Sequence, residues 1–153
     1  MQIAIRHPKL VNKLLLASTL YKRDGMQTGY FEGFDHATLE TMPMALKNAY
    51  LAANPDPKGL EAMFNRDVAR MKAFKNVSEL DIHAIQAPAL VINGDADAVR
   101  SEHALALSRA LPHAQLMILP GGHGEYIGEI AAPNMHRKIP ALVTAAIEAF
   151  LDE

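Results

Sequence analysis

Two short loops in this chain hold the side chains best suited to chemistry. Gly94-Asp95-Ala96-Asp97 follows the apolar run Ala89-Leu90-Val91-Ile92, and Gly121-Gly122-His123 follows Leu116-Met117-Ile118-Leu119. Each sets a titratable group just beyond a buried strand. In an open α/β sheet the crevice outside the carboxyl ends of the strands is where ligands bind. A carboxylate that orients an imidazole there makes it a directed general base, so an acid of the first loop and His123 of the second read as parts of one catalytic apparatus. Asp95 is read as a turn former that bonds nearby backbone amides, and it is the second choice for the acid.

Two other readings use the same residues. Gly-Asp-x-Asp is common turn chemistry, so Asp97 could simply cap a turn. Asp95, Asp97 and His123 could together hold a divalent ion, although no further ligand clusters near them in sequence. The acid–base reading leaves no metal and no cofactor to be bound. The only serines are Ser18, Ser78, Ser101 and Ser108, and there is no cysteine. None of these serines is flanked by the glycines that a sharp nucleophile turn requires. The remaining histidines, among them His7, His103 and His113, read as surface or capping groups. Glu125 and Glu129 read as solvated charges or as holders of the loop.

The elements that must position Asp97 and His123 follow from period and punctuation. Gln2 to His7 reads as the end of a helix stopped by Pro8, and Lys13 to Ser18 as a short buried strand. Tyr21 to Phe34 has no period and is read as loop. Two helices are predicted next, from Ala37 or Thr38 to about Ala52 and from Pro57 to about Phe74. The second has Asp56 as N-cap, Pro57 at N1, and Leu60, Met63, Phe64, Val68 and Met71 along one face. Ser78-Glu79-Leu80-Asp81 resembles a capping box that opens a short helix ending before Pro88. The strand 89–93 leads to the acidic loop, and Ser101 can cap a helix running to Leu111. After the strand 115–119 and the histidine loop, Ile139, Leu142, Val143, Ala146, Ile147, Phe150 and Leu151 make a stripe at helical spacing. This alternation predicts an α/β fold with a parallel sheet covered on both faces. The pair of helices within 37–74 breaks the alternation, as an inserted lid would. Its Met42, Met44, Leu46, Leu51, Met63, Phe64 and Met71 are read as helix packing, with some free to line an acyl or aromatic pocket.

Composition excludes several function classes. A net charge of −2 gives no general attraction to nucleic acid or anionic lipid. No stretch approaches the roughly 20 apolar residues of a membrane span, so no membrane and no nucleic-acid partner is expected. Half the residues are apolar, enough for a proper core. The lack of cysteine suits a reducing compartment, and a cytoplasmic location is the expectation.

The segment Pro88 to Asp97, the helix after it, and the segment Ala114 to His123 together resemble the C-terminal half of an α/β-hydrolase. Arg6-His7-Pro8-Lys9-Leu10-Val11 and the strand after it are similar to the stretch following that family's nucleophile helix. The resemblance covers almost the whole chain. It implies a partial α/β-hydrolase fold, with the last three parallel strands and flanking helices, in one domain over 1–153. It also implies an inserted two-helix cap over about 35–75 and a triad acid and base at Asp97 and His123. The family's nucleophile lies in G-x-S-x-G on a strand-to-helix turn, which this sequence lacks. A complete member needs roughly 250 residues. The resemblance therefore implies a chain that starts inside the nucleophile helix, whether by a misplaced start, a partial gene, an engineered fragment or a split subunit. Two functions are carried forward. One is a cofactor-free hydrolase acting on a small-molecule ester, a related acyl bond or a carbon–carbon bond, inactive without its nucleophile half. The other is an interaction module that self-associates, or binds the missing half, through the exposed edge of the strand 13–18.

Overall fold

The structure is a computed structural model that describes residues 1–132 and 138–152. In chain order its elements are α1 (Gln2–Arg6), β1 (Leu14–Ala17), α2 (Met44–Ala53), α3 (Pro57–Lys72), α4 (Glu79–His83), β2 (Ala89–Gly94), α5 (Ser101–Ala110), β3 (Ala114–Leu119) and α6 (Ile139–Asp152). They fall into two compact units, one of Met1–Gln27 with Asn76 onwards and one of Thr28–Lys75.

The first unit is built on a parallel sheet in the order β1-β2-β3, with Leu16 beside Val91 and Val91 beside Leu116. Every residue of β2 is buried. Alternation along β2 sends Ala89 and Val91 to one face, where they join Ala4, Leu16, Ile82, Ile85, Ala104 and Leu107. Leu90 and Ile92 point to the other face and join Leu119, Tyr126, Val143 and Phe150. Each such fully buried aliphatic side chain stabilises by about 1.5–3 kcal/mol. The expectation of a sheet covered on both faces holds for β2 alone. Leu15 of β1 and Leu116 and Ile118 of β3 stay 36–42% exposed, because no strand flanks either outer edge among the described residues.

In the second unit α2 and α3 pack on each other, and α3 also meets the turn Glu32–Asp35. Phe31 stacks on Phe74 with ring centres 6.1 Å apart, and Lys72 pairs with Asp35 at 2.7 Å. Asp56 caps α3 by accepting from the Lys58 amide, with Pro57 at the first helical position. The helix predicted from residue 37 or 38 starts at Met44 instead. Proline pushes the residue before it out of the helical region, so Met42-Pro43 is extended and only the turn Leu39–Thr41 precedes it.

Two further expectations are corrected around α5. Its N-cap is Arg100, not Ser101, and no side chain caps it. Arg100 instead ties down the loop after β1, donating from its amide to the Gly25 carbonyl at 2.9 Å and from its guanidinium to the Asp24 carbonyl. A bridge between Met26 and Val99 ties that loop to the residues just before α5, and Tyr21 and Gly25 of the loop lie against His103, which is buried. His103 is therefore no surface group: its ring stacks on Tyr21 at 4.3 Å, and its Nε2 accepts the Tyr21 amide at 3.2 Å. An added Cβ on Gly25 would stand 2.3 Å from the imidazole, so the fit admits only glycine.

Burial drives the His103 imidazole down from 6.5 to about 4, with smaller contributions from neighbouring charges. The unfolded chain takes up this proton near 6.5 and the folded chain does not until about 4, so stability is lost as pH falls through that window. The loss is about 3 kcal/mol when complete. Asp97, whose folded carboxyl lies below 3.8, adds its own loss only at lower pH. Urea midpoints at pH 7 and pH 4.5 test this. The midpoint should fall with pH in the wild type and much less in His103→Gln, and equal slopes would refute the assignment. Among the described residues no helix is long and apolar enough to cross a membrane.

Candidate active site

Strands β2 and β3 run parallel and end side by side, so the acidic and histidine loops leave the same end of the sheet. Their backbones are stitched together. The Asp95 amide donates to the Leu119 carbonyl at 2.8 Å and the Ala96 amide to the Gly121 carbonyl at 3.0 Å. Asp95 Oδ1 accepts the Gly121 amide at 2.9 Å, the turn-forming role expected of it. Gly94 permits this approach, since a Cβ there would lie 2.3 Å from the Gly121 carbonyl oxygen. Fully buried Asn93 closes the acidic turn from beneath, its Nδ2 donating to the Gly94 and Val99 carbonyls at 2.8 Å each.

The histidine loop is held by Glu125. Expected to be solvated or to hold the loop, this residue is only 6% exposed, and its Oε2 accepts the Gly122 amide at 2.8 Å. Gly121 and Gly124 take φ values of 131° and 66°, a region that costs other residues strain. A Cβ on Gly121 would also press on the Glu125 carboxyl, at 2.9 Å.

This frame brings Asp97 and His123 together. Nδ1 of His123 lies 2.9 Å from Asp97 Oδ1, with no exposed surface on the Asp97 side chain and 63% exposure on that of His123. A carboxylate can only accept, so Nδ1 carries the proton and Nε2 keeps a lone pair. The Val99 amide donates to the same Oδ1 at 3.0 Å, and the Ser18 hydroxyl donates to Oδ2 at 2.5 Å. Burial opposes the Asp97 charge and is the largest single influence, yet the bonds from His123, Ser18 and Val99 outweigh it and hold the carboxyl below its ordinary value. The bond to Asp97 raises the His123 imidazole above 6.5 against the opposing effect of burial, and Glu129 adds a smaller pull upwards.

Such an arrangement can take a proton at Nε2 from a hydroxyl or a water and return it to a leaving group. Among the described residues no serine bonds to His123. Ser78 pairs with Asp81, Ser108 with the Leu105 carbonyl, and Ser18 with the acid rather than the base. The divalent-ion alternative is not assembled either, because Asp95 faces the Gly121 amide and no group of three or more suitable ligands converges among the described residues.

Two residues of the site were not singled out from sequence. Ser18 directly follows β1, at the same end of the sheet as the two loops, and that position was the available signal. Tyr126 is 1% exposed with its hydroxyl 2.7 Å from Ser18 Oγ. Nothing local marks it beyond the need of a buried tyrosine for a polar partner.

No protein-family model matches the sequence, and no curated protein matches it. Solved structures do. A serine hydrolase involved in carbazole degradation is similar at 19% identity with a TM-score of 0.65, over 99% of this chain and 58% of its own. A meta-cleavage product hydrolase from Pseudomonas fluorescens is similar at 20% identity and 0.62, over 97% of this chain and 60% of its own. A thermophilic esterase from Thermogutta terrifontis is similar at 19% identity and 0.60, over 97% and 58%. The chain thus spans about three fifths of the length of the structures it matches. At such low identity the likeness shows the fold: three parallel strands with flanking helices that form part of an α/β-hydrolase fold, consistent with its C-terminal part.

Proposed function

We propose that this chain supplies the acid and base of a Ser-His-Asp-type hydrolase, with Asp97 orienting His123 and His123 activating a nucleophile carried by a further segment. One observation carries the reading. A buried carboxylate, held by a serine hydroxyl and a backbone amide, accepts a hydrogen bond from Nδ1 of an exposed imidazole whose other nitrogen is left to accept. A structural turn cap needs no such histidine. The similar folds described as a serine hydrolase, a meta-cleavage product hydrolase and an esterase favour a small-molecule ester, a related acyl bond or a carbon–carbon bond as the target. In this reading the unit Thr28–Lys75 is a cap, no cofactor takes part, and the protein works in the cytoplasm. The test is hydrolysis of an ester panel by a reading frame extended upstream to include G-x-S-x-G. Turnover should be lost in Asp97→Asn and His123→Ala, and turnover indifferent to both would sink the proposal.

A second reading has its own observation. Beside β1 lies an apolar cleft of about 990 Å³, lined by Ile3, Leu10, Val11, Leu14 and Leu151 among others. Ile3 and Leu10 there are 63% and 75% exposed, and the outer edge of β1 has no partner strand among the described residues. An apolar, unpaired edge accepts another chain. Light scattering on the purified chain should give a dimer or larger discrete species, and a monodisperse monomer would exclude self-association.

A further inference from the structure

Ser18 is the only described residue other than glycine with a positive φ, at 45°. Its amide still extends the strand ladder, donating to the Ile92 carbonyl at 2.8 Å. Left-handed backbone costs a non-glycine residue about 1–2 kcal/mol, so a strained serine beside a buried carboxylate calls for an account in terms of its hydroxyl. That hydroxyl has one hydrogen. Asp97 Oδ2, at 2.5 Å, can only accept it, so the contact of 2.7 Å to Tyr126 must run the other way, from the tyrosine hydroxyl to Ser18 Oγ. Tyr126 has one alternative acceptor, the Ile92 carbonyl, at a longer 3.4 Å. Donation therefore runs in one direction, from Tyr126 to Ser18 to Asp97.

We infer that Ser18 and Tyr126 are positioning residues of the acid–base pair: their two hydroxyls fix the Asp97 carboxylate so that Oδ1 faces His123 and holds its Nδ1 proton. The inference rests on the acid–base reading of Asp97 and His123. Without the Ser18 hydroxyl, Oδ2 would be a buried anionic oxygen stripped of its donor, and the carboxylate would be free to rotate towards any other. Without the Tyr126 hydroxyl, Ser18 keeps its hydrogen but loses the donor that orients it. Tyr126 thus acts on Asp97 through Ser18. The other charge acting on His123 is Glu129, which these substitutions leave in place.

The test is a nuclear magnetic resonance titration of His123 in the purified chain, reading both its midpoint and the tautomer of its neutral ring. Ser18→Gly suits the left-handed backbone and removes the hydroxyl, so it tests the bond where Ser18→Ala could fail to fold. In the wild type the neutral ring should carry its proton on Nδ1. In Ser18→Gly the midpoint should drop by about half a pH unit towards 6.5, with a share of the ring passing to the Nε2-protonated tautomer that water favours. Tyr126→Phe should give a smaller change of the same sign, and the double variant should match Ser18→Gly alone, since Tyr126 has no separate route to Asp97. A midpoint that is unchanged or raised with the Nδ1 tautomer kept would overturn the inference. Additive effects of the two variants would overturn the relay. The titration needs no substrate, so its failure is distinct from a lack of turnover in the extended frame, which would sink the hydrolase proposal instead.

Discussion

Asp97→Asn is expected to lower turnover about 10³-fold in a chain where His123 serves a nucleophile, equivalent to ~4 kcal/mol of barrier, while the fold is kept. The local bonds determine both halves of that expectation. Oδ1 faces two donors, the Val99 amide and His123 Nδ1, so an asparagine there must present its oxygen to them. Its amide nitrogen then points at Ser18 Oγ. Ser18 can accept from it and donate to Tyr126, whose own hydrogen turns to the Ile92 carbonyl at 3.4 Å. The hydroxyl relay reverses and only the second amide hydrogen is left without an acceptor, a loss small enough for folding to survive. What disappears is the negative charge that stabilises the imidazolium formed when His123 takes a proton. The His123 tautomer is preserved, so the loss should be about tenfold smaller than in triads where the substitution also inverts the tautomer. Steady-state kinetics measure the loss of turnover and a His123 titration the loss of charge, with the midpoint falling below that of the wild type. An unchanged midpoint would mean that Asp97 exerts no charge effect on His123.

Gly94→Ala should be the most damaging single methyl in the first unit, at about 3 kcal/mol and a drop of about 10 °C in melting temperature. The new Cβ would lie 2.3 Å from the Gly121 carbonyl oxygen and 2.9 Å from that of Gly122. Both obstacles are backbone, so no side-chain rotation relieves them. The loops must part, and with them go the Ala96-to-Gly121 bond and the approach of His123 to Asp97. Gly33→Ala is the matched control, because nothing lies within 4 Å of the Cβ it would add and its φ is not in the left-handed region. Calorimetry on the two variants separates the cases. Should Gly94→Ala melt with the wild type, the closeness of the two loops would not be a constraint on the fold.

The parts of this protein that were legible in the sequence are those governed by short-range rules. Apolar runs of four residues with a glycine two positions beyond mark β2 and β3, and a parallel pair so marked must deliver Asp97 and His123 to the same end of the sheet. Asp56-Pro57 and Ser78 mark the starts of α3 and α4 through bonds made within three residues. The Met42-Pro43 break was equally local, and weighting the proline more heavily would have placed the start of α2 correctly. Contacts between distant segments left no such trace. Ser18 meets Asp97 across 79 residues and Tyr126 across 108, and His103 is buried only because the loop after β1 folds over α5. Sequence period reports which side of an element is apolar, and it therefore sets the α/β alternation and the ends of the strands where a site can lie. The hydrogen-bonded surroundings of the carboxylate, and which polar groups are removed from water to form them, depend on tertiary packing, because those partners adjoin only once the chain has folded.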